Sequence, residues 1–234
     1  MASRFLSPYD FNPLNINPLR DILNAHVDFA AIRASNVKLF ISATNVRTGR
    51  ARIFDSPQMT ADAVMASACL PLLFQAVEID GVPYWDGGYM GNPPLFPLYE
   101  HAEADDILLV QINPILREET PRTAAEIQNR INEITFNASL LAQLRAIDQV
   151  TRLIEQGLLT RWTLDSVFRR VRLHRIGGAD QLVNLDATSK LNTEWGFLQH
   201  LRDVGRQAAD GFLTAHYQDI GTRSTLDLRL EPED

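Results

Sequence analysis

One carboxylate in this chain stands in a setting that could support chemistry. In the stretch Tyr84-Trp85-Asp86-Gly87-Gly88-Tyr89-Met90-Gly91-Asn92-Pro93-Pro94, an aspartate ends a β-like run and two glycines follow at once. The glycines remove two β-carbons, so backbone or substrate can approach Asp86 closely from that side. Such a group is either the corner of a tight turn, for which Asp-Gly is a common pair, or part of a reaction centre. As a catalyst it would act as a general base on a hydroxyl within hydrogen-bond reach; alone it cannot perform acyl transfer.

The remaining candidates are weaker. Ten serines are present, and none has glycine two positions away on both sides, so there is no Gly-x-Ser-x-Gly nucleophile elbow. The first glycine of any kind is Gly49, so no glycine-rich oxyanion or phosphate loop follows an early strand, and Gly87-Gly88-x-x-Gly91 has the wrong spacing for a dinucleotide fingerprint. The histidines His26, His101, His174, His200 and His216 make no His-x-x-x-His pair and have no cysteine cluster beside them. His101 and His174 read as solvated surface positions. Glu118-Glu119 reads as an acidic loop ahead of a helix, where the positive helix end favours acids. Cys69, in Ala68-Cys69-Leu70, reads as a small buried hydrophobe, and Met59, Met65 and Met90 as packing residues.

The elements that must hold Asp86 are legible around it. Ala76–Ile79 and Val82–Trp85 flank Asp80-Gly81, a two-residue loop suited to a type I′ hairpin. Pro83 lacks an N–H, which predicts an edge position for its strand. Upstream, the proline- and asparagine-rich residues 3–20 predict a surface loop, Asn17-Pro18 starts a short helix to about Ala25, and another opens at Asp28. Val37–Thr44 is nearly continuous in apolar and β-branched residues and predicts a strand covered on both faces. Thr48-Gly49 turns the chain into a return strand at Arg52–Phe54, and Thr60 caps a small-residue helix to about Ser67, stopped by Pro71.

Downstream, Asp106–Ile112 predicts a second buried strand. The apolar period from Ile127 through Ile131, Ile134, Leu141 and Leu144 to Ile154 predicts a helix over Pro121–Gln156, started by Thr120, ended by Gly157 and bent or broken near Asn137. Asp165–Arg170 reads as a helical turn, Val171–Ile176 as a strand with one wet face, Asn192–His216 as a final helix and Leu226–Asp234 as a tail. Strands alternating with helices predict an α/β fold in one domain, residues 1–220, with 221–234 as a tail.

Composition narrows the function. The 234 residues are 45% hydrophobic and 22% charged, enough for a substantial core. A net charge of −7 argues against a nucleic-acid surface. No apolar run approaches the roughly 18 residues of a membrane span, and the start lacks a signal-peptide pattern. A single cysteine fits a reducing compartment, so the reading is a soluble, cytoplasmic protein.

Leu39–Gly49, Ala66-Ser67-Ala68-Cys69-Leu70-Pro71, Trp85-Asp86-Gly87-Gly88, Asn92-Pro93-Pro94-Leu95 and the strand Ile107–Ile112 follow one another in an order that resembles bacterial patatin-like phospholipases, from about Leu6 to His216. The resemblance implies a layered α/β fold whose mostly parallel central sheet is flanked by helices. It also implies a lipid acyl hydrolase with a Ser-Asp dyad, in which Asp86 of the motif Asp86-Gly87-Gly88 accepts the serine proton or holds the hydroxyl for attack on an ester carbonyl. No metal or other cofactor is needed for that step. The family's Gly-x-Ser-x-Gly and oxyanion loop precede the matched motifs and are absent here, so the resemblance is to the carboxyl-terminal part of such a domain, an incomplete fold, inactive by itself. Its expected partners are a lipid or ester substrate, the missing amino-terminal segment or a second copy of the chain, and a membrane surface. The competing expectations are a non-catalytic assembly module using the long helix and an exposed sheet edge, and a metal-dependent hydrolase with Asp86 as a ligand.

Overall fold

The computed structural model describes residues 6–158, 170–177, 182, 185, 189 and 192–226. The helical turn expected at Asp165–Arg170 and the tail beyond Leu226 lie almost wholly outside the described residues. The chain is α/β and divides into two compact units, Met1–Pro97 and Leu98–Asp234.

The first unit opens with three short helices, α1 (Pro8–Phe11), α2 (Leu19–His26) and α3 (Phe29–Ala34). The sequence reading missed α1, which replaces part of the expected loop. Ser7 and Asp10 make it possible: the Ser7 N–H and hydroxyl both donate to the Asp10 carboxylate, at 2.8 and 2.7 Å. The Asn17 side chain accepts from Leu19 N, and that of Asp28 from Ala31 N, so the two expected helix starts are observed.

β1 (Phe40–Asn45), β2 (Ala51–Asp55), β3 (Val77–Ile79) and β4 (Val82–Asp86) form one sheet in the order β2-β1-β4-β3, every pair antiparallel. Ser42, Ala43 and Thr44 are buried in succession, as expected of a strand covered on both faces. α4 (Ala61–Ser67) lies on this sheet, its start capped by the Thr60 hydroxyl, which accepts from Ala63 N at 3.1 Å. Ala63 and Ala66 are completely buried, and their small side chains let the helix close on Ala43, Phe54, Val77 and Tyr84. Cys69 belongs to the same core, and the Phe54 and Tyr84 rings meet edge to face at 5.7 Å.

Asp80 and Gly81 both have positive φ, 52° and 74°, as a type I′ hairpin requires. The edge position expected for the Pro83 strand is overturned: β4 lies between β1 and β3. The ladder explains why proline is tolerated. β1 pairs only with Tyr84–Asp86, so at Pro83 it has run out, and the Pro83 carbonyl accepts from Val46 N at 3.0 Å just past its end.

After α5 (Phe96–His101), the second unit contains β5 (Asp106–Gln111), α6 (Ala124–Glu155), β6 (Arg172–Gly177) and α7 (Trp195–His216). β5 and β6 pair in parallel over six residues, the only parallel ladder among the described strands. α6 begins later than predicted, because Thr123 rather than Thr120 caps it: the Thr123 hydroxyl accepts from Glu126 N while the Glu126 carboxylate accepts from Thr123 N. The helix is continuous through Asn137. That buried amide does not interrupt it but donates to the Pro114 carbonyl at 2.9 Å, tying α6 to the segment after β5. Among the described residues no helix is long and apolar enough to cross a membrane.

Candidate active site

Asp86 ends β4 opposite Ala43 of β1. Its backbone is held on two sides: its N–H donates to the Cys69 carbonyl at 2.8 Å, and its carbonyl accepts from the Thr44 hydroxyl at 2.8 Å. The carboxylate accepts from Gly88 N at 2.7 Å and so caps the single 3₁₀ turn Gly87–Tyr89. The turn and the reaction-centre readings of Asp86-Gly87-Gly88 are thus compatible, since the turn sets the direction of the carboxylate.

Gly87 is required by packing. A β-carbon there would lie 2.0 Å from the Ser42 carbonyl oxygen and 2.3 Å from the Ser42 hydroxyl. The Ser42 hydroxyl donates to the Gly91 carbonyl at 2.9 Å and clamps the far side of the loop. Both hydroxyls that β1 brings to this strand end, Ser42 and Thr44, therefore spend their protons on backbone carbonyls and act as scaffold. Gly88 is buried with Gly87, while Asp86 itself is half-buried.

The electrostatic imprint of the carboxylate falls on its neighbours. Burial, reinforced by the negative charge of Asp86, raises the pKa of the Tyr89 phenol. The Cys69 thiol is raised as well, mainly by burial, and donates to the Gln75 carbonyl at 3.2 Å. That thiol is a packing group rather than a nucleophile.

A second constellation, in the second unit, was missed. His174, expected on the wet face of its strand, is only 1% exposed. Its Nε2 lies 2.9 Å from Asp106 Oδ1 and its Nδ1 3.0 Å from the Thr225 hydroxyl. Asp106 also accepts two bonds from the Arg172 guanidinium, at 3.0 and 2.7 Å, and one from Gly221 N at 2.9 Å. The Arg172 hydrogen bonds hold the Asp106 carboxyl well below the usual carboxylate range. Hydroxyl, imidazole and carboxylate stand in line, yet the cavity of about 310 Å³ nearby is lined by Arg172, Leu173, Ser224 and Leu226, not by His174. The arrangement is a clasp: Thr225 N and Leu226 N both donate to the Leu173 carbonyl, strapping residues 221–226 along β6. The alternation of Val171–Ile176 could not reveal it, because the covering residues lie about fifty positions downstream.

Of the other candidates, His101 is exposed beside Glu100, and Glu118 and Glu119 are exposed ahead of α6. Met59 and Met65 are buried as expected of packing residues, whereas Met90 is exposed two residues beyond Gly88. Among the described residues no group of three or more His, Cys, Asp or Glu could hold a metal ion, so no donor set surrounds Asp86 there.

The first unit is thus a small antiparallel sheet covered by a helix, with a glycine-flanked aspartate at a strand end. Residues 6–99 match the family model described as Patatin-like phospholipase. The match spans almost all of this unit, includes Asp86, Gly87 and Gly88, and ends well before His216, where the sequence resemblance was expected to finish. The match is thus confined to the amino-terminal region of the chain. No curated protein matches the chain.

Proposed function

We propose that this protein takes part in lipid acyl hydrolysis and that Asp86 is the aspartate of a Ser-Asp dyad. The observation that carries the reading is the position of Asp86. It ends a central strand, its backbone held by the Cys69 carbonyl and the Thr44 hydroxyl, with its carboxylate accepting from the Gly88 N–H inside the region that matches the family model. In the proposed step Asp86 accepts the proton of a serine hydroxyl as that oxygen attacks an ester carbonyl. The alkoxide of the substrate then leaves as an alcohol, and water releases the acyl group by the same route in reverse. The serine would come from a Gly-x-Ser-x-Gly segment, a motif these 234 residues do not contain, so the chain assayed by itself is expected to be inactive.

The test is ester hydrolysis by this chain joined to a patatin-like segment bearing that motif, with and without Asp86→Asn. A general base is worth roughly 10²–10⁴ in rate, so the variant should lose at least about a hundredfold in kcat with little change in KM. Unchanged kcat would remove the assigned role.

A second reading, a non-catalytic assembly module, is favoured by one observation. Ile127, Ile131 and Ile134, the amino-terminal part of the α6 apolar stripe, are exposed. A chain that stays monomeric at high concentration in analytical ultracentrifugation would argue against that reading.

A further inference from the structure

The first unit presents an apolar surface that its core does not use. Residues 11–19 and 63–77 contain no charged side chain. The structure brings two loops from these runs together: the Gln75 amide donates to the Asn12 carbonyl at 2.7 Å, and Ala76 N donates to the Tyr9 hydroxyl at 3.3 Å. The first loop is stiffened by a pair of bonds across it, with Ile16 N donating to the Asn12 side chain and the Asn12 amide to the Ile16 carbonyl. Its tip is Leu14, 80% exposed, between the exposed Phe11 and Ile16. The second loop is the turn Leu70–Phe74, closed by bonds from Leu73 N and Phe74 N to the Leu70 carbonyl. Phe74 packs towards the core, which leaves Leu72 outside, 70% exposed. Side chains at rigid tips that point away from their own core contribute nothing to folding.

The geometry points to an interfacial docking surface for a neutral, zwitterionic lipid layer, formed by Phe11, Leu14, Ile16 and Leu72. Four observations support this occupant. The two runs carry aliphatic tips and an aromatic but no cation, whereas a surface built for anionic lipid displays lysine and arginine. The protein's net charge of −7 opposes an anionic membrane and leaves a zwitterionic one neutral towards it. The loops are held by hydrogen bonds before any contact is made, so little ordering entropy is lost on insertion. Finally, the second loop starts one residue after Cys69, whose carbonyl holds Asp86 N, so the surface adjoins the candidate carboxylate. The choice of a lipid layer over a protein partner rests on the acyl-hydrolase reading above. Docking here would bring the strand end carrying Asp86 to the layer that holds the ester.

The test is flotation of the whole chain with phosphatidylcholine vesicles, which needs no turnover. Wild type should float with the vesicles, and the double variant Leu14→Asp, Leu72→Asp should partition at least about tenfold less, since each inserted leucine is worth more than a factor of ten. Ile131→Asp on α6, an exposed apolar residue of the second unit, should leave partitioning unchanged. Replacing roughly a third of the lipid with phosphatidylglycerol should weaken binding and not strengthen it. The pair Leu14→Ser, Leu72→Ser repeats the test should the aspartates disturb folding, as judged by circular dichroism. Absence of flotation, stronger binding to anionic vesicles, or equal loss with Ile131→Asp overturns the inference. So does self-association that the double variant abolishes without vesicle binding, which assigns the surface to a second copy. Hydrolysis of a short soluble ester by the chain joined to a segment bearing Gly-x-Ser-x-Gly separates the two proposals: an Asp86-dependent rate there without flotation of the chain sinks the docking surface alone, and flotation without such a rate in the joined protein sinks the catalytic role alone.

Discussion

Asp86 and Asp106 both sit at strand termini, and their surroundings could hardly differ more. The Asp86 carboxylate, at the end of β4, takes its direction from a local contact, Gly88 N two residues on, while Cys69 and Thr44 hold its backbone. Asp106, at the start of β5, is gripped by Arg172, His174 and Gly221, which are 66, 68 and 115 residues away. A carboxylate that ties three segments together is a structural fastening, supplied with several donors and strongly favoured as an anion. The Asp86 carboxylate instead caps a local turn whose two glycines are buried beside it. The contrast separates the group proposed for chemistry from one held for stability.

The comparison can be broken or sharpened by substitution. The largest effect is expected at Gly87→Ala, where the new β-carbon would collide with the Ser42 backbone, which has no freedom to retreat within β1. A loss of about 3 kcal/mol or more is expected in urea denaturation of the first unit. A loss under about 1 kcal/mol would mean that the loop is slack and that Asp86 is less firmly placed than described.

Next comes Asp106→Asn, which removes the charged acceptor of Arg172 and should destabilise the second unit by about 2 kcal/mol. The sign of its pH dependence follows from the depressed native pKa. The stabilisation is complete above the unfolded-state value of about 4 and fades as the pH falls below it. Acid titrations of stability should therefore converge for wild type and variant at low pH and reach their full separation above about pH 4. Parallel curves would show that the clasp does not depend on the charge.

A smaller loss, about 1 kcal/mol, is expected for Thr60→Ala, which deprives α4 of the cap received by Ala63 N; thermal unfolding measures it. The smallest effect on stability belongs to Asp86→Asn. Its amide oxygen can still accept from Gly88 N, so the change should stay below about 1 kcal/mol. A large destabilisation at Asp86 would make it a fastening like Asp106 and remove the distinction on which its catalytic assignment rests.

How far each element could be read in advance follows the same division. The type I′ hairpin, the Thr60 cap, the buried run of β1 and the burial of Cys69 were legible, because each depends on a few adjacent residues and on the side-chain period of one element. The position of β4 was misjudged because Pro83 forbids one hydrogen bond, not a whole neighbour. Where β1 stops is a property of the register, and the register is settled between strands. α1 was hidden because two residues, Ser7 and Asp10, outweigh a proline-rich composition that otherwise suggests a loop. His174 was placed on the surface because alternation marks a wet face only when nothing distant covers it.

By itself, the order of residues determined that a carboxylate followed by two glycines ends a strand held by a tight hairpin, and that no serine here has the flanking glycines of a nucleophile elbow. Such features are written in dihedral preferences and spacings a few residues long. Only the tertiary structure decided that Gly87 must lie against Ser42, that His174 is sealed beneath residues 221–226, and that two uncharged loops share one exposed surface beside Asp86. Those outcomes depend on which distant segments meet, and the free energy of such meetings is the sum of many packing contacts that no short window of sequence contains.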